Sequence, residues 1–347
     1  MTDTTFDPRR TQRLVILQHA GLLTPKHGKT GISLLRYRGD EVVAVIDREA
    51  AGRSLREITR LPLKRDIPIV ATVAEALALK PTALAIGLAP SGGRVPADWM
   101  DDLRLTVRSG VSIWSGLHTR LGEDAEIAAA LRPGVTIWDM RREPAGLASG
   151  TGGARNLPCK RVLFVGTDMA IGKMTAALEF DRAARERGVR SCFVGTGQAG
   201  MMISGSGVCL DAVRVDYASG AVEAEVMRHA PGQDILWVEG QGSLLNPAST
   251  ATLPLIRGTQ PTHLVVTTVP SECLSSNFAH RWRSAPAPTK VPPETRSTWR
   301  VSWCQRARCP LLNASPRSMK PSPPHAKCLR HHPSARSVRS RHCCPPR

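Results

Sequence analysis

The stretch from Arg161 to Thr175, RVLFVGTDMAIGKMT, limits what this chain can be more than any other. A short apolar run leads into a glycine-containing loop, and Gly172-Lys173 opens a helical pattern that runs from Met174 to Arg187 and stops at Gly188. Strand, loop and helix in this order make a phosphate cradle: backbone N–H groups and a helix N-terminus face the anion, and the lysine ammonium adds charge. Gly166, Thr167, Asp168, Gly172, Lys173 and Thr175 are the candidate phosphate-binding residues. Two details depart from the standard loop. Five residues separate Gly166 from Gly172, where the standard loop has about four. Met174 also stands where the Mg²⁺-binding hydroxyl belongs, with Thr175 one place later, so the cradle reads more clearly than a metal site.

The first half of the chain repeats short apolar runs and helical segments. Leu14 to Leu17 reads as a strand that ends in a Gly/Pro/Lys loop, Gly21 to Gly31. Glu41 to Asp47, Ile67 to Ala71, Thr82 to Leu88, Val111 to Trp114 and Val135 to Trp138 read as further strands. Helical patterns cover Val73 to Leu79, Pro96 to Arg108 and Asp124 to Leu131. This alternation predicts a parallel α/β sheet, so residues 1–142 form a Rossmann-like N-terminal domain with its core from about residue 10. Such sheets bind ligands outside the carboxyl ends of their strands. Two loops lie there, Gly87 to Arg94 and Ser115 to Arg120. His118 and Arg120 have the chemistry to move a proton or to hold a carboxylate, although a polar loop at a strand end also carries solvated side chains of these types. No GxGxxG follows the first strand, so a nicotinamide cofactor is not indicated.

Residues 143–160, EPAGLASGTGGARNLPCK, are Gly/Ala/Pro-rich and without period, the pattern of a linker. The run Ser149 to Gly153 suits either flexibility or a mobile anion-binding loop. Residues 161–270 then form a second domain around the cradle. Cys192 to Gly195 reads as a strand followed by the loop Thr196 to Gly200, Ser219 to His229 has helix-forming character, and Asp234 to Val238 is an apolar strand ending in Glu239-Gly240-Gln241-Gly242-Ser243. An acid at that place suits a Mg²⁺ ligand or a substrate-activating carboxylate. The glycines beside Gln241 allow close approach of a ligand. The expected fold is therefore α/β, two doubly wound, mostly parallel sheets, the first Rossmann-like and the second P-loop NTPase-like.

Charge divides the chain. The formal net charge is +18, which taken whole suggests nucleic acid or an anionic surface. Residues 271–347 hold 15 Lys/Arg and 2 Asp/Glu, which leaves 32 and 27, a net of only +5, for the body. The tail also has 12 Pro, no Asp and seven Val/Ile/Leu, too little aliphatic content for a core. It is expected to be a disordered, non-native basic tail produced by a frame error, the rival being a basic arm for nucleic acid. Cys159, Cys192 and Cys209 are scattered through the body and argue for a reducing compartment. No run of about 18 apolar residues is present. A cytoplasmic protein with a small-molecule substrate is expected, with no membrane or nucleic-acid partner and with self-association as a homo-oligomer left open.

GTDMAIGKMT and VEGQGS resemble the loop and acidic motif of the dethiobiotin synthetase-like P-loop proteins. A closer resemblance is to a two-domain family represented by the DgcN-type D-glutamate N-acetyltransferases, only some of whose members have a known activity. Ser115 to Arg120, Gly166 to Thr175, Thr196 to Gly200, Gly205 to Val213, Asp216 to Ala221 and Val238 to Leu244 carry it, over about residues 12 to 266. Met169 and Ala199 stand where Cys and Thr are common in that family, and the family would continue past Val269 through further strand and helix units. The resemblance implies acetyl transfer from acetyl-CoA to the amino group of D-glutamate or a similar amino acid, with the cradle receiving CoA phosphates. By chemical type, Glu239 or His118 would be the base, the N–H groups of Gly197 to Gly200 would meet the thioester oxygen, and Arg120 or Arg142 would clamp a carboxylate. Gln198, Gly200, Asp211, Asp216 and Gln241 complete the substrate-binding set. The alternatives are a P-loop ligase or kinase using ATP with Mg²⁺ on Thr175 and Glu239, and a nucleotide-binding protein or inactive truncated remnant.

Overall fold

In a computed structural model that describes residues 8–9, 11–23, 28–90, 92–247 and 249–268, two runs of parallel strands carry the chain. The tail expectation for residues 271–347 lies outside the described residues. In the first sheet, β1 (Leu14–Leu17), β2 (Val42–Ile46), β3 (Ile69–Val70), β4 (Ala83–Ile86), β5 (Ser112–Ser115) and β6 (Ile137–Asp139) pair in the order β3-β2-β1-β4-β5-β6. All of these pairings are parallel. The order reverses between β1 and β4, so this is a doubly wound Rossmann-like sheet.

Helices cover both faces: α1 (Lys29–Arg38), α2 (Leu55–Thr59), α3 (Val73–Leu77), α4 (Met100–Arg108) and α5 (Ala125–Ala130). Burial on two faces explains why β1 and β4 read as continuous apolar runs. Each face has its own core, one around Leu14, Ile16, Leu34 and Trp114 and the other around Leu17, Ile86, Leu103 and Ile113.

The second sheet holds β7 (Lys160–Gly166), β8 (Ser191–Val194), β9 (Ile235–Val238) and β10 (His263–Thr267) in the order β10-β7-β9-β8, again with parallel pairings. Along β7 the side chains alternate. Val162 and Phe164 pack with Trp237 and Val265 under α6 (Lys173–Arg185), while Leu163 and Val165 pack with Leu236 and Val238 under α8 (Val215–His229) and α9 (Thr252–Thr259). A further helix, α7 (Gln198–Ser204), begins inside the stretch read above as a loop, Thr196 to Gly200. Likewise α1 begins at Lys29, within the expected loop Gly21 to Gly31. In both places glycines hide the helical pattern: Gly31 and Gly200 occupy helical turns because a side chain there would collide with Gln18 and Glu239 respectively.

The two sheets share a core. Met201 and Met202 of α7, with Cys209, pack among Leu34, Leu35, Trp114 and Met140 of the first domain. Arg38 closes this contact. Its guanidinium lies 5.0 Å over the Trp114 ring, donates to Met202 O at 2.9 Å and pairs with Glu41 at 2.7 Å. The connecting segment is equally fixed. The Glu223 carboxylate accepts the N–H groups of Thr151, Gly152 and Gly153 at 2.8, 2.8 and 2.9 Å, so the glycine run does bind an anion, and the anion is a side chain of α8. Ala148 O sits so close to Gly220 that a Cβ there would come within 1.8 Å of it. Among the described residues no helix is long and apolar enough to cross a membrane.

Candidate functional site

The cradle grows from the end of β7. Gly166 closes the strand, Thr167 to Gly172 form the loop, and Lys173 is the first residue of α6. The loop is tied down from outside itself. Thr167 N donates to Thr267 O at 3.1 Å, Ser243 Oγ donates to Thr167 O at 2.8 Å, and Leu244 N donates to Gly166 O at 2.9 Å. Asp168 Oδ1 accepts Met169 N at 2.7 Å and the Asn246 amide at 3.4 Å. Ala170 (φ 56°) and Gly172 (φ 100°) are left-handed. At Ala170 that is uncommon for a residue with a Cβ, and the surrounding bonds hold it there.

Lys173 is buried, 5% exposed, and its Nζ donates to Asp168 O at 2.8 Å. Burial lowers its pKa to about 8 in spite of the charges of Asp168 and Glu239. The second half of the site is the end of β9. A Cβ on Gly240 would fall 1.6 Å from Phe164 O and 3.0 Å from Lys173 Cδ, so only glycine lets this strand end approach the cradle. Glu239 is 3% exposed. Its Oε2 accepts Thr196 N at 2.8 Å and Gly197 N at 3.1 Å, the Gln241 side chain bonds the same carboxylate, and Thr196 Oγ1 donates to Glu239 O at 2.8 Å. Burial nevertheless pushes the carboxyl up to about 7, against these hydrogen bonds and the Lys173 charge.

Above these groups lies a cavity of about 510 Å³. Of the residues singled out in the sequence, Gly172, Lys173, Thr175, Glu239 and Gln241 line it. Gly166, Thr167 and Asp168 build the loop beneath, and Gly200 packs against the Glu239 carboxylate. The others lie elsewhere. His118 is exposed, with its N donating to Gly93 O at 2.6 Å, and Arg120 is exposed and pairs with Glu123 at 3.0 Å. Asp211 pairs with Arg141, whose Nε donates to Gly116 O, and accepts Cys209 Sγ at 3.0 Å. Gln198 packs against Gly116, and Asp216 is exposed in the first turn of α8. The amide of Gly197, expected to face a thioester oxygen, is taken by Glu239.

The other wall of the cavity went unread in the sequence: Lys29, Ile32, Ser33, Arg36 and Tyr37, all on α1 of the first domain. Their spacing i, i+3, i+4, i+7 and i+8 is one helical face and was the available signal. Tyr37 Oη donates to Glu179 Oε1 of α6 at 3.1 Å, tying this wall to the P-loop domain.

Thr175 and Glu239, the two groups that would hold a Mg²⁺ ion beside bound phosphates, both line the cavity. Beside Lys173 stands the Met174 thioether, a soft group that a hard cation does not take. One oxygen of Glu239 is already engaged by two N–H groups. Among the described residues no group of three or more His, Cys, Asp or Glu side chains is placed to hold a metal.

Comparison with known proteins agrees with the two-domain architecture. Residues 48–143 match the family model described as a domain of unknown function (DUF1611_N), Rossmann-like domain, and residues 148–291 match the domain of unknown function (DUF1611_C), P-loop domain. A D-glutamate N-acetyltransferase from a Pseudoalteromonas species is 35% identical over 199 residues, 56% of this chain and 58% of that protein. Another, from Tritonibacter scottomollicae, is 34% identical over 242 residues, 69% of this chain and 68% of that protein. The chain thus spans little more than half the length of the first of these relatives. The crystal structure of a DUF1611 family protein from Anabaena variabilis is 54% identical in sequence, with a TM-score of 0.71 and 78% of each chain covered.

Proposed function

This chain belongs to the DUF1611 family, and from that premise we propose that it is an amino-acid N-acetyltransferase, moving the acetyl group of acetyl-CoA to the amino group of D-glutamate or a similar amino acid. The observation that carries the reading is Glu239: a buried carboxylate with its pKa raised to about 7, on the floor of a phosphate-cradle cavity. Relatives at 35% and 34% identity that bear this activity in their names support the same choice.

The chemistry follows from the residues. The cradle and Lys173 hold a phosphate of CoA and so place the thioester in the cavity. The acceptor arrives largely as an ammonium ion, and its nitrogen is nucleophilic only once a proton is removed. A carboxylate of pKa about 7 is matched to that task near neutral pH. The amine nitrogen then forms a bond to the thioester carbon, the carbon–sulfur bond breaks, and the sulfur leaves with the electron pair to become the CoA thiol. Glu239 passes the first proton, taken from the ammonium, to solvent, then takes the second from the attacking nitrogen and returns it to the leaving sulfur, so that one proton is released overall. No metal is required.

The test is direct. Protein incubated with acetyl-CoA and D-glutamate is expected to release free thiol, and a parallel mixture with ATP, Mg²⁺ and D-glutamate to release no ADP. Release of ADP and no thiol would replace this reading with an ATP-dependent ligase.

A further inference from the structure

We propose that α1 is the second half of a two-anion site, in which Lys29 and Arg36 hold the 3′-phosphate of CoA while the P-loop holds its diphosphate. The proposal rests on the acetyl-CoA reading above and goes beyond it by assigning a second phosphate site on the other domain.

Three observations carry it. The first is charge. Lys29, Arg36 and Lys173 line the cavity against a single carboxylate, Glu239. An amino acid with two carboxylates and an ammonium carries one net negative charge, short of that excess of two, whereas a ligand with both a diphosphate and a phosphomonoester has charge enough to engage all three cations.

The second is the placement of Lys29. It opens α1, where the helix dipole repels a cation. No acid lies in that first turn, and Lys29 is exposed and makes no ion pair among the described residues. A residue that breaks a local rule without a local partner is expected where a ligand supplies the partner.

The third is preorganisation. Lys29 and Arg36 lie two turns apart on one face, about 10 Å along the axis, with Ile32 and Ser33 between them. Arg36 hydrogen-bonds the Tyr37 hydroxyl, which itself donates to Glu179 of α6. Leu34, Leu35 and Arg38 on the opposite face are buried in the core shared by both domains. The cationic face therefore meets the cradle in a fixed arrangement, and its guanidinium fork suits a phosphate.

The test compares CoA with dephospho-CoA, which lacks only the 3′-phosphate, by calorimetry on the full chain. Wild type is expected to bind CoA at least tenfold more tightly. Lys29→Gln with Arg36→Gln should abolish that preference by weakening CoA alone, whereas Lys173→Ala should weaken both ligands. The two α1 positions are exposed, and circular dichroism checks that the variants fold. Equal wild-type affinities, or α1 variants that weaken both ligands alike, would overturn the α1 site and leave the acetyl-CoA reading standing. Failure of wild type to bind either ligand would instead remove that reading, and this one with it.

Discussion

Gly200 lies so close to Glu239 that a Cβ on it would stand 2.2 Å from the carboxylate Oε2. The same oxygen is held by the N–H groups of Thr196 and Gly197, so the carboxylate has no room to retreat. Gly200→Ala is expected to twist Glu239 out of its nest, at a cost of about 1–3 kcal/mol of stability. Thiol release should fall about 100-fold with it. Thermal denaturation beside the activity assay checks this, and a variant with wild-type melting and turnover would show that the contact is not tight.

The pKa values of Glu239 and Lys173 set a pH window. Glu239, raised to about 7 by burial, becomes a base as the pH passes that value. Lys173, lowered to about 8 by burial, loses its charge above that value and with it part of its hold on phosphate. The expected kcat/KM profile is a bell with limbs near these two values. Bound phosphate stabilises the charged lysine, so the alkaline limb of kcat should lie higher than that of kcat/KM. Glu239→Gln should flatten the acid limb and lower kcat by a factor of about 10²–10⁴. A wild-type profile without an acid limb would leave Glu239 no part as a base.

Glu223 gives a prediction about stability rather than chemistry. Burial pushes its carboxyl upward, but the hydrogen bonds from Thr151, Gly152 and Gly153 outweigh that and hold it below the usual carboxylate range. A depressed carboxyl stabilises the fold above its unfolded pKa, and that contribution is lost as the pH falls through the folded value. Glu223→Gln should therefore lose about 2–3 kcal/mol at neutral pH and approach wild type in acid. Denaturant titrations at both pH values decide it; a deficit independent of pH would point to packing instead.

What was legible in the sequence was what local rules control. Continuous apolar runs such as Val42–Ile46 and Ile235–Val238 marked strands buried on both faces, and Gly172-Lys173 marked the cradle. Glu239 stood out because an acid directly after an apolar strand is held at the strand end. What was missed depends on distant contacts. The α1 wall was hidden because Gly28 and Gly31 read as loop, and their reason for being glycine is the approach of Gln18 and the Gly21 carbonyl. The linker glycines read as flexible because their partner, Glu223, comes 70 residues later. His118 and Arg120 had suitable chemistry, but position in the fold, which side-chain type does not reveal, puts them outside the cavity.

The last prediction concerns Arg38, which carries no charge to the cavity and yet fixes one of its walls. Its fork donates to Met202 O on α7 and pairs with Glu41, and its plane covers Trp114. Arg38→Ala would leave the buried Met202 carbonyl and the Glu41 carboxylate without these donors and open a gap beside Trp114, a loss of about 3 kcal/mol. Arg38→Lys keeps the charge but cannot donate in two directions from a plane, so it should recover only part of that loss. Because α1 is held to α7 through this residue, both variants should lose CoA affinity while retaining the P-loop itself. Calorimetric melting and CoA titration of the two variants check the claim. If Arg38→Ala melted as wild type and bound CoA normally, the cavity wall would be held by the shared apolar core alone, and the latch would have no part in shaping the site.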